Sequence, residues 1–183
     1  MSRARRRDRA GARDAARDQG EAEAPRLDRP TRAHPAQRQR HADLGPRAGT
    51  ADGLPVKYLL DVNALVAALW AAHEHHARIH QWLAALPDAD EVLTCGLTEI
   101  GFVRVINAAY GVPVAVAKEA LSEFRSRAEI GYLETTPSPC DTLPAWAHSH
   151  KQVMDAYLVA IAEHHGAKLA TLDRGIPGAK LAG

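Results

Sequence analysis

Tyr58-Leu59-Leu60-Asp61-Val62-Asn63-Ala64-Leu65 is the stretch on which the fold of this chain turns. With Val56 and Lys57 in front of it, it forms a short, nearly continuous apolar run, the pattern of a strand covered on both faces. The run stops at Asp61 and passes into residues 64–70, which read as a helix. A carboxylate at the junction of two apolar segments is costly to place unless it is paired or bound to metal.

Three further acids sit in comparable settings. Glu99 lies within Leu97-Thr98-Glu99-Ile100-Gly101-Phe102-Val103. Asp155 opens Asp155-Ala156-Tyr157-Leu158-Val159-Ala160-Ile161-Ala162, and Asp173 ends Leu169-Ala170-Thr171-Leu172. Four acids placed this way point to one shared cation site.

Working outward, strands are expected over 56–60, 91–94, 132–135 and 168–172. Helices are expected over 64–70, 73–86, 97–110, 114–127 and 152–165, with a short one at 143–148. Ile79, Trp82, Leu83 and Leu86 are spaced for one buried face, and Val116, Ala120, Leu121 and Phe124 for another. Gly111-Val112-Pro113 stops one helix and restarts the next, while Pro137-Ser138-Pro139 breaks the third strand. Strands alternating with helices imply an α/β fold whose parallel sheet is covered on both faces. Ligands of such sheets bind at the carboxyl ends of strands. Asp61 and Asp173 fall there, Glu99 begins the helix after the second strand, and Asp155 lies one turn into the helix before the last.

The composition breaks near residue 55. Residues 1–55 contain no Ile, Val, Phe, Tyr, Trp, Cys or Lys, but 13 Arg against 8 Asp or Glu. Such a segment buries too little apolar surface to offset its ordering entropy and is expected to be disordered. It reads as a solvated extension; an arm for nucleic acid is the weaker alternative, since acids interrupt the arginines throughout. A third alternative is an unselected reading frame of GC-rich DNA, with Val56 as a GTG start; Met1-derived peptides from native protein would exclude it. The remaining 128 residues hold every aromatic side chain and carry 10 Lys and Arg against 14 Asp and Glu. That is enough chain for one core, and its net charge of −4 equals the number of acids singled out above. Without a cation, the edge that gathers these acids is expected to repel a polyanion.

Cys95 and Cys140 make no CxxC or Cys/His zinc spacing and read as thiols in a reducing compartment. No apolar run approaches the roughly 18–20 residues that span a bilayer, and no apolar signal-peptide core follows the arginines. A cytoplasmic domain is expected. His73, His76 and His80 share a helix face, but HExxH fails because position 77 is Ala.

Carboxylates gathered at one edge repel, and some protonate unless a cation intervenes. Mg²⁺ and Mn²⁺ take oxygen ligands and keep several waters. Two such ions about 4 Å apart clamp a phosphodiester, one generating hydroxide and one stabilising the leaving oxygen. No protein nucleophile stands out, so water activated by metal is the expected attacking group.

At this point the chain resembles a known family. Tyr58-Leu59-Leu60-Asp61-Val62-Asn63-Ala64-Leu65 is similar to the first motif of PIN-domain ribonucleases of the VapC toxin type. Thr98-Glu99-Ile100-Gly101-Phe102-Val103-Arg104-Val105 resembles their second motif, and His150-Lys151-Gln152-Val153-Met154-Asp155-Ala156-Tyr157-Leu158 their third. Ala170-Thr171-Leu172-Asp173-Arg174-Gly175 resembles the fourth, and together the motifs span 56–183 in order. The resemblance implies a three-layer α/β/α PIN-like fold with a mostly parallel central sheet. It implies an Mg²⁺- or Mn²⁺-dependent endoribonuclease, with two ions when substrate is bound, restrained by a VapB-like antitoxin and assembling as a homodimer. Carried over by position, Asp61, Glu99, Asp155 and Asp173 are the catalytic metal ligands, with Asn63 and Thr171 orienting carboxylates or water. Where relatives often have Thr before the third acid, this chain has Met154.

Arg104, Lys151 and Arg174 are candidates for contact with RNA phosphate or with an acidic antitoxin segment; His150 is a weaker one. Trp70 and Trp82 read as core or interface residues, leaving Tyr110 and Tyr157 for base stacking. Two alternatives to the nuclease remain open. A phosphatase on a similar sheet would use a DxD pair, but Asn63 occupies the second Asp position. A non-catalytic RNA-binding module would not need all four acids.

Overall fold

The apolar run at the head of the domain forms β1 (Lys57–Leu60), which pairs on both sides because it has no polar face to give to water. In the computed structural model, which describes residues 54–183, β1 leads through Asp61 into α1 (Val62–Leu69). There follow α2 (His76–Ala85), β2 (Glu91–Cys95), α3 (Gly96–Tyr110) and α4 (Val114–Arg127). The chain then forms β3 (Gly131–Leu133), a short α5 (Pro139–Thr142), α6 (Val153–His164), β4 (Ala167–Thr171) and β5 (Lys180–Leu181). The expected disorder over 1–55 lies outside the described residues, except at Leu54 and Pro55, which are exposed.

The five strands are ordered β3-β2-β1-β4-β5, and every pairing is parallel. The chain winds outward from β1 through β2 to β3, then returns across the sheet to β4 on the other side of β1. The order therefore reverses between β1 and β4, and parallel sheets open a crevice for ligands at such a point.

Strand alternation divides the core into two layers. Tyr58 and Leu60 of β1 pack on one face with α1–α4, where Leu65, Leu69, Ile79, Phe102 and Phe124 are fully or almost fully buried. Leu59 points the other way and packs with Leu158, Ile161 and Leu169, so α6 covers the second face. The outcome is the expected three-layer α/β/α arrangement. Trp82 meets Tyr58 edge-on at 5.3 Å, and Trp70 is buried, so both tryptophans belong to this core.

The local punctuation also has a physical basis. Gly111 adopts φ +68° and closes α3 with its N–H on Asn107, and Pro113 then caps α4. Three expectations need correction, and one strand was not foreseen. The short helix expected at 143–148 forms instead at Pro139–Thr142, because Ser138 caps it and Pro139 fits its first turn. On α4 the buried position is Ala117, while Val116 is 45% exposed; Ala120 lies partly buried against the same core as Leu121 and Phe124. The second helix starts at His76, and His73 accepts a hydrogen bond from the His75 N–H within the preceding turn. Finally, β5 had no sequence signal: two residues, one of them Lys, are too short to show a period.

Candidate active site

Asp61 is set by the end of β1 and the start of α1 at once. Its backbone N–H donates to Ala170 of β4 at 2.9 Å, extending the strand pairing by one residue. Its carboxylate caps α1, Oδ1 accepting from the Val62 N–H at 2.5 Å. Thr171, the last residue of β4, donates its hydroxyl to Asp61 Oδ2 at 2.8 Å and is itself fully buried. The same hydroxyl accepts the Asp173 N–H at 3.1 Å. Asp173 folds into a turn, its Oδ1 accepting the Gly175 N–H at 2.7 Å. Thr171 thus ties two of the four acids together across the β1–β4 switch point.

The electrostatics bring in a third acid. Burial pushes the Asp61 carboxyl above its ordinary value of 3.8; the Thr171 and Val62 hydrogen bonds oppose this, and the charge of Asp173 adds to it. Burial also raises Asp155, and the charges of Asp61 and Asp173 raise it further. Among the described residues no Lys or Arg is paired with Asp61, Asp155 or Asp173. Three carboxylates therefore repel one another with no resident counter-charge.

Glu99 is arranged differently. It stands in the first turn of α3, and its Oε1 accepts the Thr94 hydroxyl at 2.7 Å. Arg125 of α4 approaches the same oxygen at 3.2 Å. The charges that raise Asp61 and Asp155 are those of the other aspartates. Among the described residues, no three His, Cys, Asp or Glu side chains close around one point as a full metal cage would. The donor set nonetheless fits a hard divalent cation: oxygen only, negatively charged, half-open. Mg²⁺ is commonly held by one or two carboxylates, waters and substrate phosphate.

Asn63 is exposed in the first turn of α1 and makes no side-chain hydrogen bond among the described residues. Arg104, Lys151 and Arg174 are exposed. Of these, Arg104 borders a small hollow of about 270 Å³ with Val62, Ile100 and Met154, beside the start of α1 and α6. Tyr110 leans on Trp70 at 4.6 Å, and the Tyr157 hydroxyl donates to the Pro137 carbonyl at 2.8 Å, so both serve the scaffold in this structure. His76 and His80 meet the carbonyls of Ala67 and Ala68 at 2.7 and 2.9 Å, at the end of α1. That occupation accounts for the histidine cluster without zinc.

Sequence reasoning passed over Thr94, Arg125 and Tyr132. Thr94 had a legible signal: it stands at the carboxyl end of an apolar strand, one residue before the last, and its hydroxyl serves a neighbouring acid as that of Thr171 does. Arg125 had none, since only packing of α4 on α3 brings it to Glu99.

The sequence pattern of the PIN domain family matches residues 58–180. Among curated proteins, the chain is 38% identical over 122 residues to Ribonuclease VapC38 of Mycobacterium tuberculosis (strain ATCC 25618 / H37Rv), covering 64% of this chain and 86% of that protein. It is 33% identical over 118 residues to Ribonuclease VapC29 of Mycobacterium tuberculosis (strain CDC 1551 / Oshkosh), covering 64% and 86%. Among solved structures, the crystal structure of Mycobacterium tuberculosis VapC20, described as a Sarcin-Ricin loop cleaving toxin, superposes with a TM-score of 0.50 at 18% identity. That match covers 65% of this chain and 92% of the other, and it bears on the fold alone.

Proposed function

Since this chain belongs to the PIN domain family, and within it to the VapC ribonucleases, we propose that it is a metal-dependent endoribonuclease acting as the toxin of a toxin–antitoxin pair. The observation that carries this is the group Asp61, Asp155 and Asp173, mutually repelling and without a cationic partner among the described residues. Such an arrangement is unfavourable by itself and becomes favourable when a divalent cation and a phosphate enter together.

Asp61, Asp155, Asp173 and Glu99 are the residues we assign to hold Mg²⁺ or Mn²⁺, two ions with substrate bound. When bound, these ions supply a lowered pKa for water and charge stabilisation at phosphate oxygens. Asp61 is the fixed member, since both its oxygens are engaged, by the Val62 N–H and the Thr171 hydroxyl. That engagement disfavours the phosphatase alternative, in which Asp61 would attack phosphorus directly. Asp155 is only partly buried, so its carboxylate stands at the open side of the site, where it can hold the cation or orient water. Asn63 stands two residues after Asp61, in the first turn of α1, and orients water or substrate. Arg104, Lys151 and Arg174 supply exposed cations for RNA phosphate or for an acidic segment of a VapB-like antitoxin. A cytoplasmic homodimer is the form we expect to act.

The test is cleavage of fluorogenic RNA with Mg²⁺, with chelator, and with Asp61→Asn. Cleavage that requires Mg²⁺ and falls at least about 100-fold in Asp61→Asn, with the fold retained, is expected. Undiminished cleavage by Asp61→Asn would reject the assignment. A covalent aspartyl-phosphate on Asp61 would favour the phosphatase instead.

A further inference from the structure

Arg125 stands in the last turn of α4, where its guanidinium rests over the Tyr132 ring at 5.0 Å. From that seat it reaches Glu99 Oε1 at 3.2 Å, the same oxygen that accepts the Thr94 hydroxyl. Both partners converge on that one oxygen of the carboxylate. Arg125 also keeps its Nε buried with no acceptor, which is destabilising. Packing alone does not account for an arginine here, because an apolar side chain would fill the space without that cost.

The contrast with the other acids gives the pair its meaning. Asp61, Asp155 and Asp173 have no counter-charge, whereas Glu99 carries one, at the edge of an open cleft of about 710 Å³ between α3 and α4. We propose that Arg125 is a positioning residue that acts through Glu99: seated on Tyr132, it fixes Oε1, leaves Oε2 for the cation or its water, and offsets the charge of that carboxylate. This rests on the nuclease assignment made above. Under it the three aspartates attract the cation, while Glu99 contributes direction more than charge. Removing Arg125 then has two effects of opposite sign. A free cation meets one more uncompensated carboxylate and binds more tightly, while turnover falls because Glu99 is then held by the Thr94 hydroxyl alone.

The experiment uses the full chain with Mn²⁺ as probe, measuring Mn²⁺ affinity without RNA by EPR or calorimetry, and kcat and KM on fluorogenic RNA. Arg125→Met is expected to bind Mn²⁺ about three- to tenfold more tightly. Its kcat should fall about tenfold or more at saturating Mn²⁺, with KM for RNA within about twofold of the original. Arg125→Lys keeps the charge but not the planar seat, so Mn²⁺ affinity should hold while kcat still falls. Tyr132→Leu should behave like Arg125→Lys, and these two carry the test if Arg125→Met fails to fold. Unchanged Mn²⁺ affinity in Arg125→Met overturns the proposal. So does a raised KM with unchanged kcat, which would place Arg125 on the RNA itself. Losses that only track the folded fraction would assign it a scaffold role and equally defeat it. Should the original protein leave RNA uncut with Mn²⁺ present, the nuclease assignment fails, yet the Mn²⁺ affinities still decide whether Arg125 and Glu99 act as a pair.

Discussion

Thr171 does more for the site than its size suggests. One buried hydroxyl donates to Asp61 and accepts from the Asp173 N–H, so a single atom sets two acids. Thr171→Val keeps the shape and removes both bonds. It is expected to lower stability by about 1–3 kcal/mol, because a buried carboxylate loses a donor. Denaturant unfolding at neutral pH measures this, and a change within error would show the hydroxyl to be idle. The aspartates also predict a pH dependence. Asp61 and Asp155 have folded pKa values raised above the ordinary 3.8, so the folded state holds their protons more tightly than the unfolded chain. Their contribution to stability is therefore most favourable in acid and is lost as pH rises from the ordinary carboxylate value through the raised one. A divalent cation that binds the ionised form reverses this. Mg²⁺ should raise Tm more at about pH 8 than at about pH 5, and an equal increment at both would mean the cation binds elsewhere.

At the scale of elements, the close crossing of α1 and α3 sets the distance between their first turns. A Cβ added at Gly101 would lie 2.5 Å from Val62 Cγ2, far inside contact distance. Val62 follows Asp61, and Gly101 is two residues after Glu99, so this crossing governs the spacing of two assigned ligands. Valine in a helix has essentially one χ1 rotamer and cannot turn away cheaply. Gly101→Ala is therefore expected to destabilise by about 1–2 kcal/mol, the clash outweighing the gain in helix propensity. RNA cleavage should fall with it at temperatures where the variant is folded. A stabilised variant with full activity would show that α1 and α3 have room to separate. The glycine itself is visible in the second motif, but its reason is not, because the neighbour it accommodates lies on another helix.

At the scale of the whole molecule, charge decides how substrate enters. Residues 56–183 carry 10 basic and 14 acidic side chains, and the uncompensated aspartates gather at one sheet edge. RNA binding by cleavage-deficient Asp61→Asn should still weaken about tenfold or more when chelator replaces Mg²⁺. Fluorescence anisotropy measures it, and equal affinity in chelator would mean the cations Arg104, Lys151 and Arg174 hold RNA unaided. Much of this protein was already set by its order of residues. The apolar run ending at Asp61, the alternation of strands with helices and the four motifs dictate a parallel sheet covered on both faces, because period and burial are local properties of a chain. Thr171 could be named beside Asp173 for the same reason. Tertiary structure alone decided the rest: that the sheet reverses between β1 and β4, that Thr171 joins Asp61 across that gap, and that Arg125 and Thr94 hold Glu99 while the aspartates stand uncompensated. Those are pairings between residues far apart in the chain, and only packing of the layers brings such charges within reach of one another.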